Sequence, residues 1–318
     1  MKLVFFGTPD WAEICLERLH RSHHSVVGVV CNPDRPSGRR RELQACPVKK
    51  RAIRLGLEPI LQPPTLRPRQ ARDQILALDP DALAVVAYGR ILPGRLLDAP
   101  TFGAINVHFS LLPRYRGASP VQHSILAGDS ETGVTTMVME RGLDTGPILL
   151  QRSTPIGSRE TTEQLGQRLA EMGGELLVET LDSLEHGRLE PRFQDDALAT
   201  WAPPLRKQDG WIHWEESAAE IERKVRAFTP WPRVRARGSK GDFLLLRVLA
   251  SFDNSERTPA PAGRVLRLEG EALAIACGSG ATLLLEQLQP AGKRPMTGAQ
   301  ALSGRFFTLG ETLGSLAS

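Results

Sequence analysis

The stretch INVHFSLLPRYRG, Ile105 to Gly117, carries Asn106 and His108 two residues apart at the end of an apolar run. Further on, GLDTGPI sets Asp144 between Gly142 and Gly146. In an extended strand, residues two apart face the same side, so the amide and the imidazole can converge on one ligand. An imidazole moves a proton, a nearby carboxylate orients it, and an amide donates to a developing oxyanion; together they form a unit for acyl transfer. The chain has no GxSxG, so no serine elbow is indicated and the acyl group would pass directly to an amine. Taken alone, the same residues also describe a hydrogen-bonded core histidine, an edge amide and a turn acid.

The elements that must position these groups alternate. KLVFF is a continuous apolar run ended by Gly7 and Pro9, and Trp11, Ile14, Cys15 and Leu19 then follow at helical spacing. SVVGVV, ALAVVAY, GAINVH and GVTTMVM read as further strands, with helices near 47–55, 68–78, 118–127 and 160–186. Apolar runs without alternation suit strands buried on both faces, so the expected core is α/β, a doubly wound, mostly parallel sheet. Such sheets bind ligands outside the carboxyl ends of their strands. Past residue 190 the pattern changes to a polar, proline-containing stretch, then one helix and short strands split by Gly and Pro. We expect a catalytic domain over 1–189, a linker over 190–208 and a small OB-like β-barrel over 209–318.

A chain of 318 residues favours two domains over one. No run of about 18 apolar residues occurs, and MKLVFFGTPD reaches a turn where a signal core would continue, so a cytoplasmic protein without membrane contact is expected. Cys15, Cys31, Cys46 and Cys277 form no CxxC pair, which suits reduced thiols and no metal. The net charge of +4 is small but unevenly placed: residues 31–54 hold a local +6 and residues 223–247 a local +7. Basic runs of this kind are solvated loops or phosphate-binding surfaces. Trp201, Trp211, Trp214 and Trp231 either stack on bases or pack in a core.

NVHFSLLPRYRGASPVQ followed by GLDTG closely resembles the signature of the folate-dependent formyltransferases. FGTPDWA, NPDRPSGR, AYGRILP, RAFTPWP and LQPAGKRPM are similar to segments of the family members that act on tRNA, so the resemblance runs from residue 6 to residue 296. It implies transfer of a formyl group from 10-formyltetrahydrofolate to the amino group of methionine esterified to initiator tRNA. The family's catalytic residues fall on Asn106, His108 and Asp144; its folate segment falls on Ser110, Leu111, Leu112 and Pro113, with Gly89, Arg90, Ile91 and Leu92 as the other wall. Arg39, Arg40 and Arg41 fall in a loop that enters the tRNA acceptor end, and the OB-like domain is the family's second tRNA contact. A free α-amine, with a pKa of about 7.7–8.0, is largely protonated at neutral pH, and histidine is the side chain suited to remove that proton. A monomer without metal is expected. Arg40 replaces a family glycine and Glu42 a lysine, which implies a stiffer, differently charged loop; Ser119 replaces an alanine and Pro147 an acid, and neither of these two removes a proposed catalytic group, though Pro147 bears on the loop that carries Asp144. A formyltransferase of small amines, or a non-catalytic tRNA-binding relative, are the alternatives.

Overall fold

The computed structural model describes residues 1–37, 42–251, 260–278 and 280–314, so Arg39, Arg40 and Arg41 lie outside the described residues. In chain order the first half comprises β1 (Lys2–Gly7), α1 (Asp10–His20), β2 (Ser25–Val30), β3 (Arg35–Ser37), β4 (Glu42–Gln44), α2 (Pro47–Arg54), β5 (Ile60–Leu61), α3 (Arg69–Leu76) and β6 (Ala82–Val86). It continues through α4 (Gly94–Asp98), β7 (Ala104–His108), α5 (Pro120–Ala127), β8 (Glu131–Val138), β9 (Ile148–Pro155) and α6 (Thr162–Glu185). One sheet takes the order β5-β2-β1-β6-β7-β8-β9. The strands from β5 to β7 pair in parallel, whereas β8 and β9 are antiparallel. The chain winds outward from β1 to β2 and β5, then returns past β1 to β6 and β7, so the direction reverses between β1 and β6. Leu3, Val4, Phe5 and Phe6 are each 0% exposed, which is why KLVFF shows no alternation.

The sequence reading did not distinguish β9. It forms the sheet edge, where only part of each residue is covered, so Gln151, Arg152 and Ser153 stay polar and mask the strand. β3 and β4 make a separate two-stranded ribbon on either side of the basic loop. Its base is tied by Lys49 Nζ and Gln62 Nε2, both donating to the Asp34 carboxylate at 2.7 and 2.8 Å.

The chain divides into two compact units, Met1–Val121 with Glu131–Pro155 and Leu165–Pro203, and Gln122–Ser130 with Ile156–Gln164 and Pro204–Ser318. Much of the stretch read as a linker is anchored within the first unit. Arg192 and Ile148 exchange two backbone hydrogen bonds of 2.8 Å, and Arg116 donates to Thr200 O at 2.9 Å while accepting from Ala202 N at 2.8 Å. Composition cannot reveal this, because the bonds are made by main-chain groups that every residue carries.

The second unit contains α7 (Ala218–Ala227), β10 (Val234–Gly238), β11 (Gly241–Ser251), β12 (Val265–Glu269), β13 (Ala272–Ala276), β14 (Thr282–Pro290), β15 (Met296–Thr297) and α8 (Gly298–Ser303). Its antiparallel sheet runs β10-β11-β14-β13-β12, with β15 on β14. Gly310 and Leu313 donate to Val265 and Gly263, and Gly314 donates to Arg237, so one segment bonds beside β12 and on β10, the two sheet edges. The sheet is thereby closed, as the short, evenly spaced strands lead one to expect. Trp214 is buried in this core with Phe243 and Phe307. Trp211 lies beneath Arg235 and Arg237 at 5.6 and 5.7 Å, whereas Trp231 is exposed. The local +7 is smaller in space than in sequence: Glu216, Glu222 and Glu286, all outside that window, pair with Lys224, Arg226 and Arg247. Among the described residues no helix is long and apolar enough to cross a membrane.

The four thiols are free and differ sharply. Cys31 donates to the Cys46 sulfur, which with backbone amides at the start of α2 brings Cys46 down to about 6. Burial pushes Cys15 and Cys277 up to about 12, and the Cys46 contact together with burial pushes Cys31 up. Iodoacetamide at neutral pH should therefore alkylate Cys46 first, the other three reacting only on denaturation. Peptide mass spectrometry after short exposure checks this, and equal labelling of Cys15 would refute it.

Candidate active site

β7 ends at the carboxyl side of the parallel sheet, beside β6, and carries Asn106 and His108 on one face while Ile105 and Val107 point to the other. Asn106 is half-buried, and its side-chain amide makes no hydrogen bond among the described residues. His108 is 5% exposed, and its Nε2 lies 2.8 Å from the carbonyl oxygen of Tyr115. A carbonyl can only accept, so Nε2 carries the proton and donates it. Nδ1 of the neutral ring is then a free lone pair, and it faces Asp144 Oδ2 at 3.7 Å. The sequence suggested the carboxylate as the group that orients the imidazole; in the structure a backbone carbonyl does so, leaving Asp144 beside the basic nitrogen.

Asp144 is itself held firmly. Gly117 N donates to its Oδ2 at 2.8 Å, and its backbone sits at φ +54°, a region that Asp tolerates better than most residues. Of the bracketing glycines, Gly146 is required sterically, since a Cβ there would lie 1.9 Å from the main-chain oxygen of Val138, whereas one on Gly142 would meet only the Thr145 side chain. Gly117, at φ +123°, has the same need, since its Cβ would meet Ala202 O at 2.6 Å.

Gln194, from the polar stretch beyond α6, was missed by sequence reasoning. Its Nε2 donates to Asp144 O at 2.8 Å and Gly146 O at 2.7 Å. Its Oε1 accepts from the buried Arg116 guanidinium at 2.9 and 3.0 Å. One amide thus ties the Asp144 loop to the RYRG turn. No local pattern marks it, because its partners are distant in sequence and are mostly main-chain atoms. Gln194→Ala should cost about 1–3 kcal/mol of stability through the unpaired groups left behind, and should lower kcat by as much as about 10²-fold by loosening Asp144. Thermal melts and steady-state kinetics check this together; unchanged kcat in a destabilised protein would refute the positioning role.

Ser110, Leu111, Leu112 and Pro113 turn away from the end of β7. Ser110 is fully buried and donates to Arg114 O at 2.6 Å. Thr135 Oγ1 donates to Ser110 O at 2.6 Å and accepts from Leu112 N at 3.1 Å, which fixes this turn against β8. Leu111 packs on Gly133, where a Cβ would lie 2.6 Å from its Cδ2. Gly89 to Leu92 leave the carboxyl end of β6, so they flank the same end of the sheet. Leu92 packs into the core with Tyr88 and Leu96, and Arg90 donates to the carbonyl of Pro64. Of these four, Ile91 is the exposed apolar side chain, at 89%.

A histidine with a free ring nitrogen, an adjacent carboxylate and an amide that makes no hydrogen bond among the described residues, with no nucleophile among them, are groups suited to acyl transfer at the carboxyl end of a doubly wound sheet. Residues 1–181 match the formyl transferase family and residues 204–305 match its C-terminal domain; the chain belongs to this family. It is 45% identical over 314 residues to a methionyl-tRNA formyltransferase from Citrifermentans bemidjiense, covering 99% of this chain and 96% of that one. A methionyl-tRNA formyltransferase from Pseudomonas fluorescens SBW25 is 45% identical over 319 residues, covering 100% and 98%. Among solved structures, the sugar 3N-formyl transferase WlaRD, crystallised with dTDP and 5-N-formyl-THF, superposes with a TM-score of 0.65 at 17% identity, covering 92% of this chain and 99% of that chain. HypX from Aquifex aeolicus, in complex with tetrahydrofolic acid, gives 0.64 at 16% identity, covering 97% and 48%. At such identities these two show the fold alone.

Proposed function

We propose that the chain transfers the formyl group of 10-formyltetrahydrofolate to the α-amino group of methionine esterified to initiator tRNA. The observation that carries the chemistry is the His108 ring, pinned through Nε2 so that Nδ1 is free beside Asp144. The full-length likeness to methionyl-tRNA formyltransferases supports the acceptor. The donor supplies an activated formyl carbonyl. Ser110 to Pro113 form one wall for the folate, and Gly89 to Leu92 form the other, with Ile91 covering it. Asn106 donates to the carbonyl oxygen as negative charge builds there. His108 Nδ1 takes the proton from the attacking amine, Asp144 stabilises the imidazolium so formed, and the imidazolium gives the proton to the folate N10 as its bond to the formyl carbon breaks, releasing tetrahydrofolate and the formylated amine. Asn106, His108 and Asp144 are therefore assigned as the catalytic residues.

For the tRNA, Arg39, Arg40 and Arg41 provide one cationic contact. The closed sheet of the second unit provides another, where Arg235 and Arg237 lie over Trp211. The enzyme works in the cytoplasm as a monomer. The test is to offer 10-formyltetrahydrofolate with methionyl-initiator tRNA, methionyl-elongator tRNA, free methionine, glycinamide ribonucleotide and an amino-sugar nucleotide separately. Formylation of methionyl-initiator tRNA well above all the others is expected, and preference for a small amine would overturn the assignment.

A further inference from the structure

One cluster outside the active site joins two elements far apart in sequence. His23 and His24 lie between α1 and β2, and Asp182 and Glu185 occupy the last turn of α6. His24 Nε2 lies 2.9 Å from Asp182 Oδ1, and His23 Nε2 lies 3.5 Å from that oxygen and 3.3 Å from Glu185 Oε2. One nitrogen of each histidine and one Asp182 oxygen all fall within 4.8 Å of one another. The His24 side chain is 0% exposed. Its Nε2 and Asp182 Oδ1 are buried polar atoms that make no hydrogen bond among the described residues, although they face each other closely.

We propose that His23, His24 and Asp182 bind a divalent transition-metal ion. Tetrahedral coordination at bonds of about 2.0–2.1 Å places neighbouring donor atoms roughly 3.3–3.4 Å apart, which the 2.9 and 3.5 Å separations of Asp182 Oδ1 from the two imidazoles bracket. Two imidazoles with a carboxylate suit zinc and its neighbours, whereas an all-oxygen set would suit magnesium or calcium. The Asp182 and Glu185 carboxylates bring negative charge that the Met1 ammonium offsets in part, through its 3.0 Å contact to Glu185 Oε1. Cysteine spacing could not reveal this site, since no cysteine takes part. The cluster adjoins Ser25, where β2 begins, whereas the catalytic residues adjoin the carboxyl end of β7. It is therefore a staple between the start of β2 and the end of α6, placed apart from the chemistry.

The test uses the full-length, tag-free protein titrated with Zn²⁺ alone by calorimetry, and with Co²⁺ by visible absorption. His23 is exposed, so His23→Ala leaves the fold intact, and Asp182→Asn removes the shared oxygen's charge while keeping its shape. The wild type should bind one equivalent. Loss of even an outer partner of a metal ligand costs about 10–100-fold, so each variant should bind at least that much more weakly. Zn²⁺ should raise the thermal midpoint of the wild type and leave both variants unmoved, with formylation rates equal throughout. The proposal is overturned by an absence of saturable binding, by equal affinity in the variants, or by a thiolate charge-transfer band with Co²⁺ that disappears when Cys46 is alkylated.

Discussion

Replacing His108 by alanine should lower the single-turnover rate of formyl transfer by about 10²–10⁴, the range for a positioned proton-transfer group. The expectation follows from how the ring is held. Its Nε2–H is committed to Tyr115 O, and Tyr115 N donates in turn to Thr200 Oγ1 at 2.8 Å, so the ring cannot turn and Nδ1 alone is free to take the amine proton. Truncation also removes the imidazole N–H that Tyr115 O accepts, a stability cost of about 1–3 kcal/mol that a thermal melt measures separately. Folate-analogue affinity should be retained, because Ser110 to Pro113 are fixed by Thr135 and not by the imidazole. A variant that formylates charged tRNA at the wild-type single-turnover rate would remove His108 from the mechanism.

Asp144→Asn should be the second-largest loss, about 10²–10³ in kcat. Asparagine keeps an oxygen that can accept from Gly117 N, so the loop geometry survives and only the charge is removed. Opposite charges about 4 Å apart attract by roughly 4 kcal/mol at an effective dielectric constant near 20, an upper limit equivalent to about three decades in rate. Asp144 and His108 stand 3.7 Å apart with both side chains largely covered, so most of that attraction should act on the imidazolium formed during transfer. Because this attraction appears only once the proton has moved, KM for both substrates should hold within about threefold while kcat falls. Asp144→Ala, which also frees Gly117 N, should show an equal kinetic loss plus a lower melting temperature. Wild-type kcat in Asp144→Asn would reduce the carboxylate to a loop anchor.

Much of this was legible in the residues. The unalternating runs of β1, β2, β6 and β7 announce a sheet buried on both faces, and a two-residue spacing in a strand puts Asn106 and His108 on one side whatever the rest of the fold does. β9 was not legible, because an edge strand is only half covered and need not be apolar. The 223–247 charge was legible as a count and misleading as a surface, since its neutralising acids come from outside the window.

What the sequence determines by itself is local: period, turn chemistry and the identity of the groups available for reaction. It places an amide, an imidazole and a carboxylate in suitable segments and says which could act as acid, base or hydrogen-bond donor. Which nitrogen of His108 is left free was decided only by tertiary structure, when the chain turned back after Pro113 and brought the Tyr115 carbonyl against Nε2. The same holds for Gln194 on the Asp144 loop and for Asp182 beside His23 and His24. In each case the partners are separated by a turn or by many tens of residues, and the contact is often to a main-chain atom that every residue possesses. A group that all residues share leaves no trace in a sequence; only the packing of apolar faces fixes which carbonyl or amide arrives at a given side chain.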